Sequence, residues 1–284
     1  MYIISIFVEA HNINRKEEMT LKKLITANYE IESDSRISDF KGTKFVMISD
    51  FHNNDYKLNS NLIIEKVKDI APFCIIIAGD IITAIPGTNN KRAYALLEQL
   101  AKIAPVYMAN GNHEYRTRIY KDTYGSMYDE LVNELAKNNI VHLINDSVEL
   151  KKGDSVIKLT GLEIEREYYK RLKRQKMKDD YIEGLVGKAD KSKYEILIAH
   201  NPKYFKQYAA WGADLVLSGH YHGGIVRIPK SRGVMAPDFT IFPKYTCGLY
   251  KEGESKMILS SGVGTHSLKL RIFNPCEIVC FSVK

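Results

Sequence analysis

Residues 73–80 read Phe73-Cys74-Ile75-Ile76-Ile77-Ala78-Gly79-Asp80, an apolar run closed by a glycine and a carboxylate. Six apolar residues bounded by turn signals suit a strand buried on both faces, as in a parallel sheet covered by helices. Similar runs lie on either side at Lys44–Ser49 (KFVMIS) and Val106–Ala109 (VYMA). Helical periodicity fills the intervals at Leu58–Ile70 and Asn90–Ile103, and returns at Thr123–Lys137. Shorter strands are expected at Ile140–Leu143, Val156–Thr160, Glu195–Ala199 and Asp214–Leu217, with hairpin-like strands from Gly224 onward. This alternation predicts an α/β domain.

The wider composition agrees. Of 284 residues, 45% are apolar and 26% charged, which excludes disordered, collagen-like and coiled-coil classes. No internal repeat or low-complexity linker divides the chain. Residues 31–284 are therefore read as one domain behind an N-terminal segment 1–30, with 163–193 as a basic insertion or lid. The net charge is +7, and Glu165–Lys178, with seven basic and two acidic residues, holds +5 of it. The rest of the molecule is almost neutral, so the attraction for anions is local. That stretch is expected to be a helix. It reads either as a solvated face or as a lid for phosphate, lipid headgroups or nucleic acid, with Tyr168, Tyr169 and Tyr181 placed to stack on a base or sit at a lipid interface.

Four cysteines without a C-x-x-C pair make a disulfide scaffold unexpected and favour a reducing compartment. No stretch approaches the ~18 apolar residues of a membrane span. The start, Met1–Val8 (MYIISIFV), lacks a basic n-region and a cleavage site. It reads as a short strand or turn on the core, with a shortened membrane-contacting segment as the alternative. A cytoplasmic location follows, with membrane association as its variant.

Five signatures each follow a predicted strand: Asp50-Phe51-His52, Gly79-Asp80, Gly111-Asn112-His113-Glu114, Ala199-His200-Asn201-Pro202 and Gly219-His220-Tyr221-His222. Ligands of open α/β sheets gather outside the carboxyl ends of strands, so all five can converge on one crevice. Each is weak alone; a D-x-H arises by chance about 0.4 times in such a composition, and an H-x-H about 0.2 times. Their joint occurrence is harder to dismiss. In extended backbone, residues i and i+2 point the same way, so Asp50 pairs with His52 and His220 with His222. A carboxylate can bridge two cations, and Asp80, ending an apolar strand, is costly to bury without one. Imidazole, carboxylate and amide donors suit Mn, Fe or Zn rather than Ca. His11 and His142 read as surface or packing residues, and His266 as a structural residue of a small-residue loop.

These motifs resemble the calcineurin-like metallophosphoesterase superfamily over about Tyr29–Lys284, including Ile48-Ser49-Asp50, Leu217-Ser218-Gly219-His220 and Arg271-Ile272-Phe273-Asn274-Pro275. Within it the chain is similar to bacterial phosphohydrolases carrying H-N-P and G-H-x-H-G-G segments. That group is described as phosphodiesterases, and relatives cleave the pyrophosphate of a UDP-linked lipid A precursor. The resemblance implies a four-layer α-β-β-α sandwich with a small basic helical insertion, and two divalent metal ions. It assigns Asp50, His52 and His222 to the first metal, Asp80 to the bridge, and Asn112, His200 and His220 to the second. His113 binds no metal in this scheme and acts on the phosphate, protonating the leaving oxygen or stabilising phosphoryl charge. A bridging hydroxide would attack phosphorus in line, because coordination lowers the pKa of water to about 7.

The implied partner is a phosphate ester, lipid- or nucleotide-linked, at a centre where manganese is one candidate; peripheral membrane contact is an alternative. A nuclease is the rival enzyme. A catalytically silent binding module is the non-enzyme alternative, disfavoured because all seven donors and His113 are retained. The chain departs from the usual pattern at Phe51, Tyr221, Ile225 and Thr83, the last standing where many relatives place an Asp beside the catalytic histidine.

Overall fold

The computed structural model describes residues 24–54, 60–170, 175–224, 227, 243–264, 271 and 273–284. The apolar start, His11, Ile225, His266 and residues 171–174 of the basic stretch lie outside the described residues.

The chain runs through β1 (Leu24–Ile31), β2 (Lys44–Ile48), α1 (Ser60–Ile70), β3 (Cys74–Ala78), α2 (Lys91–Ala101) and β4 (Val106–Ala109). It continues through α3 (Asn112–Ile119), α4 (Lys121–Tyr124), α5 (Met127–Lys137), β5 (Val141–Leu143), β6 (Asp146–Lys152) and β7 (Ser155–Leu162). The last part holds α6 (Tyr181–Val186), β8 (Tyr194–Ala199), α7 (Phe205–Trp211), β9 (Leu215–Ser218), β10 (Gly248–Glu252), β11 (Ser255–Leu259) and β12 (Cys276–Val283). One sheet has the order β1-β12-β2-β3-β4-β5 and the other β10-β11-β9-β8-β7-β6. The central strands are parallel in both: β2 with β3, β3 with β4, β7 with β8 and β8 with β9.

The period-two alternation of a strand explains the layering. In β3, Cys74, Ile76 and Ala78 point between the sheets, where they meet Leu159, Ile196, Ile198 and Leu217. Ile75 and Ile77 point the other way, onto Ile63 and Val67 of α1 and Leu96, Leu97 and Leu100 of α2. On the far side of the second sheet, Leu197, Val216 and Met257 pack against Ile182, Phe205 and Tyr208. The result is the expected helix–sheet–sheet–helix sandwich. Both faces of the central strands are apolar because both are covered.

The expected strands and helices up to β9 recur within a few residues of their predicted limits, with informative differences. Of the hairpin-like strands expected from Gly224 onward, β10 and β11 pair as a hairpin, and β12 joins the first sheet between β1 and β2. Residues 225–226, 228–242, 265–270 and 272 of that region lie outside the described residues. Thr123–Lys137 is divided into α4 and α5 at Gly125, which adopts a φ of +58°. The basic stretch is not one helix: a 3-10 turn spans Arg166–Tyr169, and the next helix, α6, begins at Tyr181. Tyr168 and Met177 are both buried. Nine residues apart, they would lie on opposite faces of one helix, so burying both requires a break. β1, β6, α3, α6 and α7 escaped the sequence reading; α3 has no apolar stripe, β6 alternates too weakly in DSVELKK, and α6 and α7 are only six and seven residues long.

Ile76 is fully enclosed between the sheets. The substitution Ile76→Ala is expected to cost about 2–5 kcal/mol in urea denaturation. Val132→Ala, at a position 38% exposed, is expected to change stability little.

Candidate active site

Each signature leaves the carboxyl end of a strand: Asp50 and His52 follow β2, Asp80 follows β3, and Asn112 and His113 open α3 after β4. From the second sheet, His200 follows β8, and His220 and His222 follow β9. The two sheets bring these ends together. Donor atoms of Asp50, His52 and His222 lie within 4.8 Å of one another, as do those of Asp80, His200 and His220. A third group of the same size joins His52, Asp80 and His113. Across the sheets, His222 Nε2 is 3.3 Å from Asp50 Oδ1, and His200 Nε2 is 3.1 Å from Asp80 Oδ2. The Nε2 atoms of His52 and His222 stand 3.2 Å apart.

The backbone is strained where these side chains originate. Asp50, His52, Asp80, His220 and His222 have φ values of +54°, +49°, +55°, +71° and +48°. Left-handed backbone is uncommon for such residues and concentrates at functional sites. It replaces the extended backbone expected at Asp50–His52 and His220–His222, and His220 and His222 accordingly fall in different donor groups.

Both carboxylates are almost fully buried, Asp50 at 0% and Asp80 at 1% exposure. Burial pushes the Asp50 carboxyl up to about 6, with His200 opposing and Asp80 adding to the rise. Burial acts on Asp80 too, yet the charges of His200 and His113 outweigh it and hold Asp80 well below the usual carboxylate range. Burial disfavours a charged His200 ring, but Asp80 and Asp50 draw its pKa up to about 10. The carboxylates thus demand positive charge.

A metal ion fits that demand. Asn112 Oδ1 is buried without a hydrogen-bond partner, and Asp80 Oδ2 and His200 Nε2, 3.1 Å apart, have none beyond each other. His200 Nδ1 donates to Ala78 O at 2.7 Å, so a cation that displaces the Nε2 proton would meet the Nε2 lone pair on the side of Asp80. Oxygen and imidazole donors without thiolate match a first-row divalent cation.

Residues beyond the signatures' donors hold the site in shape. Glu114, fully buried, accepts from the backbone N–H groups of Asp80 and Gly111 at 2.8 Å each and of Ile82 at 3.0 Å. Burial first, and Asp80's charge second, raise its pKa to about 7. Its position three residues after the Gly111 N-cap is a capping signal that sequence reading had available. Asn274 donates to the carbonyls of His222 and Gly224 at 2.5 and 2.8 Å. The buried guanidinium of Arg271 binds the carbonyls of Ser261, Gly262 and Gly264. Nothing local in the sequence announces those last two roles.

His113 sits edge-on to His52, ring centroids 4.5 Å apart. The Ala84 N–H donates to His113 Nδ1 at 2.9 Å, so a neutral ring carries its proton on Nε2. Ala84 follows Thr83, and its main-chain N–H orients the ring. His142 is a packing residue, hydrogen-bonded to Asn110 at 2.7 Å and held down to about 4 by burial and Arg118. Tyr168 packs between Tyr181 and Tyr204, whereas Tyr169 meets His220 edge-on at 5.3 Å.

Two facing sheets with carboxylate, imidazole and amide donors at their joined strand ends define an α/β sandwich built around a metal site. The chain belongs to the calcineurin-like phosphoesterase family, which it matches over residues 43–224. Membership makes it a phosphoric ester hydrolase that uses divalent metal ions. It is 28% identical to an uncharacterized metallophosphoesterase, Cj0846, of Campylobacter jejuni, covering 100% of this chain and 68% of the relative. It is 24% identical to the UDP-2,3-diacylglucosamine pyrophosphatase LpxG of Chlamydia muridarum, covering 92% and 89%. Among solved structures, the phosphopantetheinyl hydrolase PptH of Mycobacterium tuberculosis is similar, with a TM-score of 0.47, 14% identity and coverage of 78% and 89%.

A Cβ added at Gly111 would collide with the Asp80 carboxylate and backbone nitrogen, whereas one at Gly184 meets open space. Gly111→Ala is expected to weaken Mn²⁺ binding by about 10–100-fold in calorimetric titration. Gly184→Ala is expected to leave binding unchanged and to stabilise α6 by up to about 1 kcal/mol.

Proposed function

We propose that this hydrolase cleaves a phosphodiester or pyrophosphate bond at a dinuclear centre. Asp50, His52 and His222 hold one cation, Asn112, His200 and His220 the other, and Asp80 serves both. The observation carrying this reading is the pair of donor groups that straddle the two sheets on strained backbone, with Asp80 beside each. Mn, Fe or Zn bound there supplies positive charge to the phosphate oxygens and activates water at neutral pH.

The chain's own groups do the rest. His200, with Nδ1–H committed to Ala78, keeps Nε2 as an acceptor. His113, with Nδ1 occupied by the Ala84 N–H, offers Nε2–H to a phosphoryl or leaving-group oxygen. The buried strand ends exclude bulk water, which strengthens each of these interactions. The Chlamydia relative acts on a UDP-linked diacylglucosamine, and its near full-length likeness supports a pyrophosphate in a lipid-linked nucleotide as the substrate class.

His113→Ala is expected to lower kcat on a chromogenic diester by about 10²–10⁴-fold with metal content retained by elemental analysis. Loss of metal in that variant would make His113 a ligand, and unchanged kcat would remove it from the chemistry. Asp80→Ala is expected to abolish both metal content and turnover. A steep fall of oligonucleotide affinity with salt, against a flat response for the small diester, would instead favour a nuclease.

A further inference from the structure

The chemistry-bearing loop 110–113 begins with a residue that the site as described does not use. Asn110 is 2% exposed and lies between the last residue of β4 and Gly111. Its Nδ2 donates to Glu163 Oε2 at 2.7 Å and to the Tyr128 hydroxyl at 3.3 Å. Its Oδ1 lies 2.7 Å from His142 Nε2, and since that oxygen can only accept, the histidine donates. Glu163 follows the end of β7 in the opposite sheet, and its other oxygen pairs with Arg118 near the end of α3. Asn110 thus has its side chain bonded to both sheets at once.

The placement matters because the second donor group is split between sheets. Asp80 and Asn112 belong to the first sheet, His200 and His220 to the second. Inside the first sheet the loop is held by Glu114, through the Gly111 N–H, and by Asp80, through the His113 N–H at 2.8 Å. Neither bond fixes its distance to the second sheet. Glu163 reaches across twice, through Asn110 at the start of the loop and through Arg118 near the end of α3, and the Asn110 bond is the one beside Asn112.

Resting on the site proposed above, we infer that Asn110 is a positioning residue: its side chain, bonded to Glu163, ties the Asn112–His113 loop to the opposite sheet and so sets the spacing between Asn112 and the His200–His220 pair. Burial with three partners makes the contact specific to an amide. A carboxylate at 110 would face Glu163 directly, and a residue too short to reach would leave Glu163 with an unpartnered oxygen.

The test uses the full chain, Mn²⁺ calorimetry and amide hydrogen exchange at Gly111 and His113. Asn110→Ala and Glu163→Gln are expected to weaken Mn²⁺ binding by about 10–100-fold and to lower protection at those amides by about tenfold or more. Asn110→Asp is expected to be worse than Asn110→Ala. The exchange Asn110→Asp with Glu163→Gln restores a donor–acceptor pair with reversed polarity, and binding is expected to return to within about threefold of the parent.

A drop in melting temperature with unchanged Mn²⁺ affinity and amide protection would reduce Asn110 to a packing residue and overturn the inference. So would a double variant no better than Asn110→Asp alone. Should Asn110→Ala fail to fold, the volume-conserving Glu163→Gln carries the same readouts. If the parent protein binds no Mn²⁺, the dinuclear reading fails by itself, and amide protection alone then decides the role of Asn110.

Discussion

The structure is organised around the cost of burying two negative charges where two sheets meet. Asp50 and Asp80 end neighbouring parallel strands and have almost no contact with solvent. A carboxylate in that setting must be neutralised, paired or bound to a cation. Histidines from the opposite sheet come within 3.1–3.3 Å of them, so the seam is held by the same interaction that makes the site. The apolar strands bring the charges to the seam, and the charges give the seam its chemistry.

That arrangement stores strain. Left-handed backbone at Asp50, His52, Asp80, His220 and His222 is unfavourable at each position. The surroundings offset it with hydrogen bonds to the main chain rather than with extra apolar contact. Glu114 gathers three N–H groups beneath Asp80, Asn274 clamps the carbonyls around His222, and Arg271 binds carbonyls of the 261–264 turn. Gly111 and Gly219 are needed for another reason. Their missing Cβ leaves room for the carboxylates of Asp80 and Asp50.

What could be read from the sequence follows from whether a signal is local. The run FCIIIAGD declares a doubly covered strand and a carboxylate at its end within eight residues, and β3 with Asp80 agrees with it. The donor residues were legible for the same reason: each sits one to four residues beyond a strand. Helix α3 was not, because NHEYRTRI has no apolar stripe and is set by its cap and by what its side chains hold. Asn110 and Asn274 were invisible as anchors because their partners lie about fifty residues away, and Arg271 because an arginine 7–10 residues past a turn carries no pattern that announces burial. The basic stretch failed as a helix because buried contacts at Tyr168 and Met177 overrode a pattern that looked helical.

That same stretch joins the electrostatics to the site. Arg166, Lys170, Lys176 and Lys178 are exposed, so their charge is available to solvent. Tyr168 turns inward, where its carbonyl accepts from Asn201 and the Tyr204 hydroxyl, and the next residue, Tyr169, lies against His220. A single peptide unit therefore connects a pinned core residue to one that touches the site, with cationic residues on either side. The described cations of the stretch thus share one short segment with a residue that meets the donor cluster, while the chain outside Glu165–Lys178 carries little net charge.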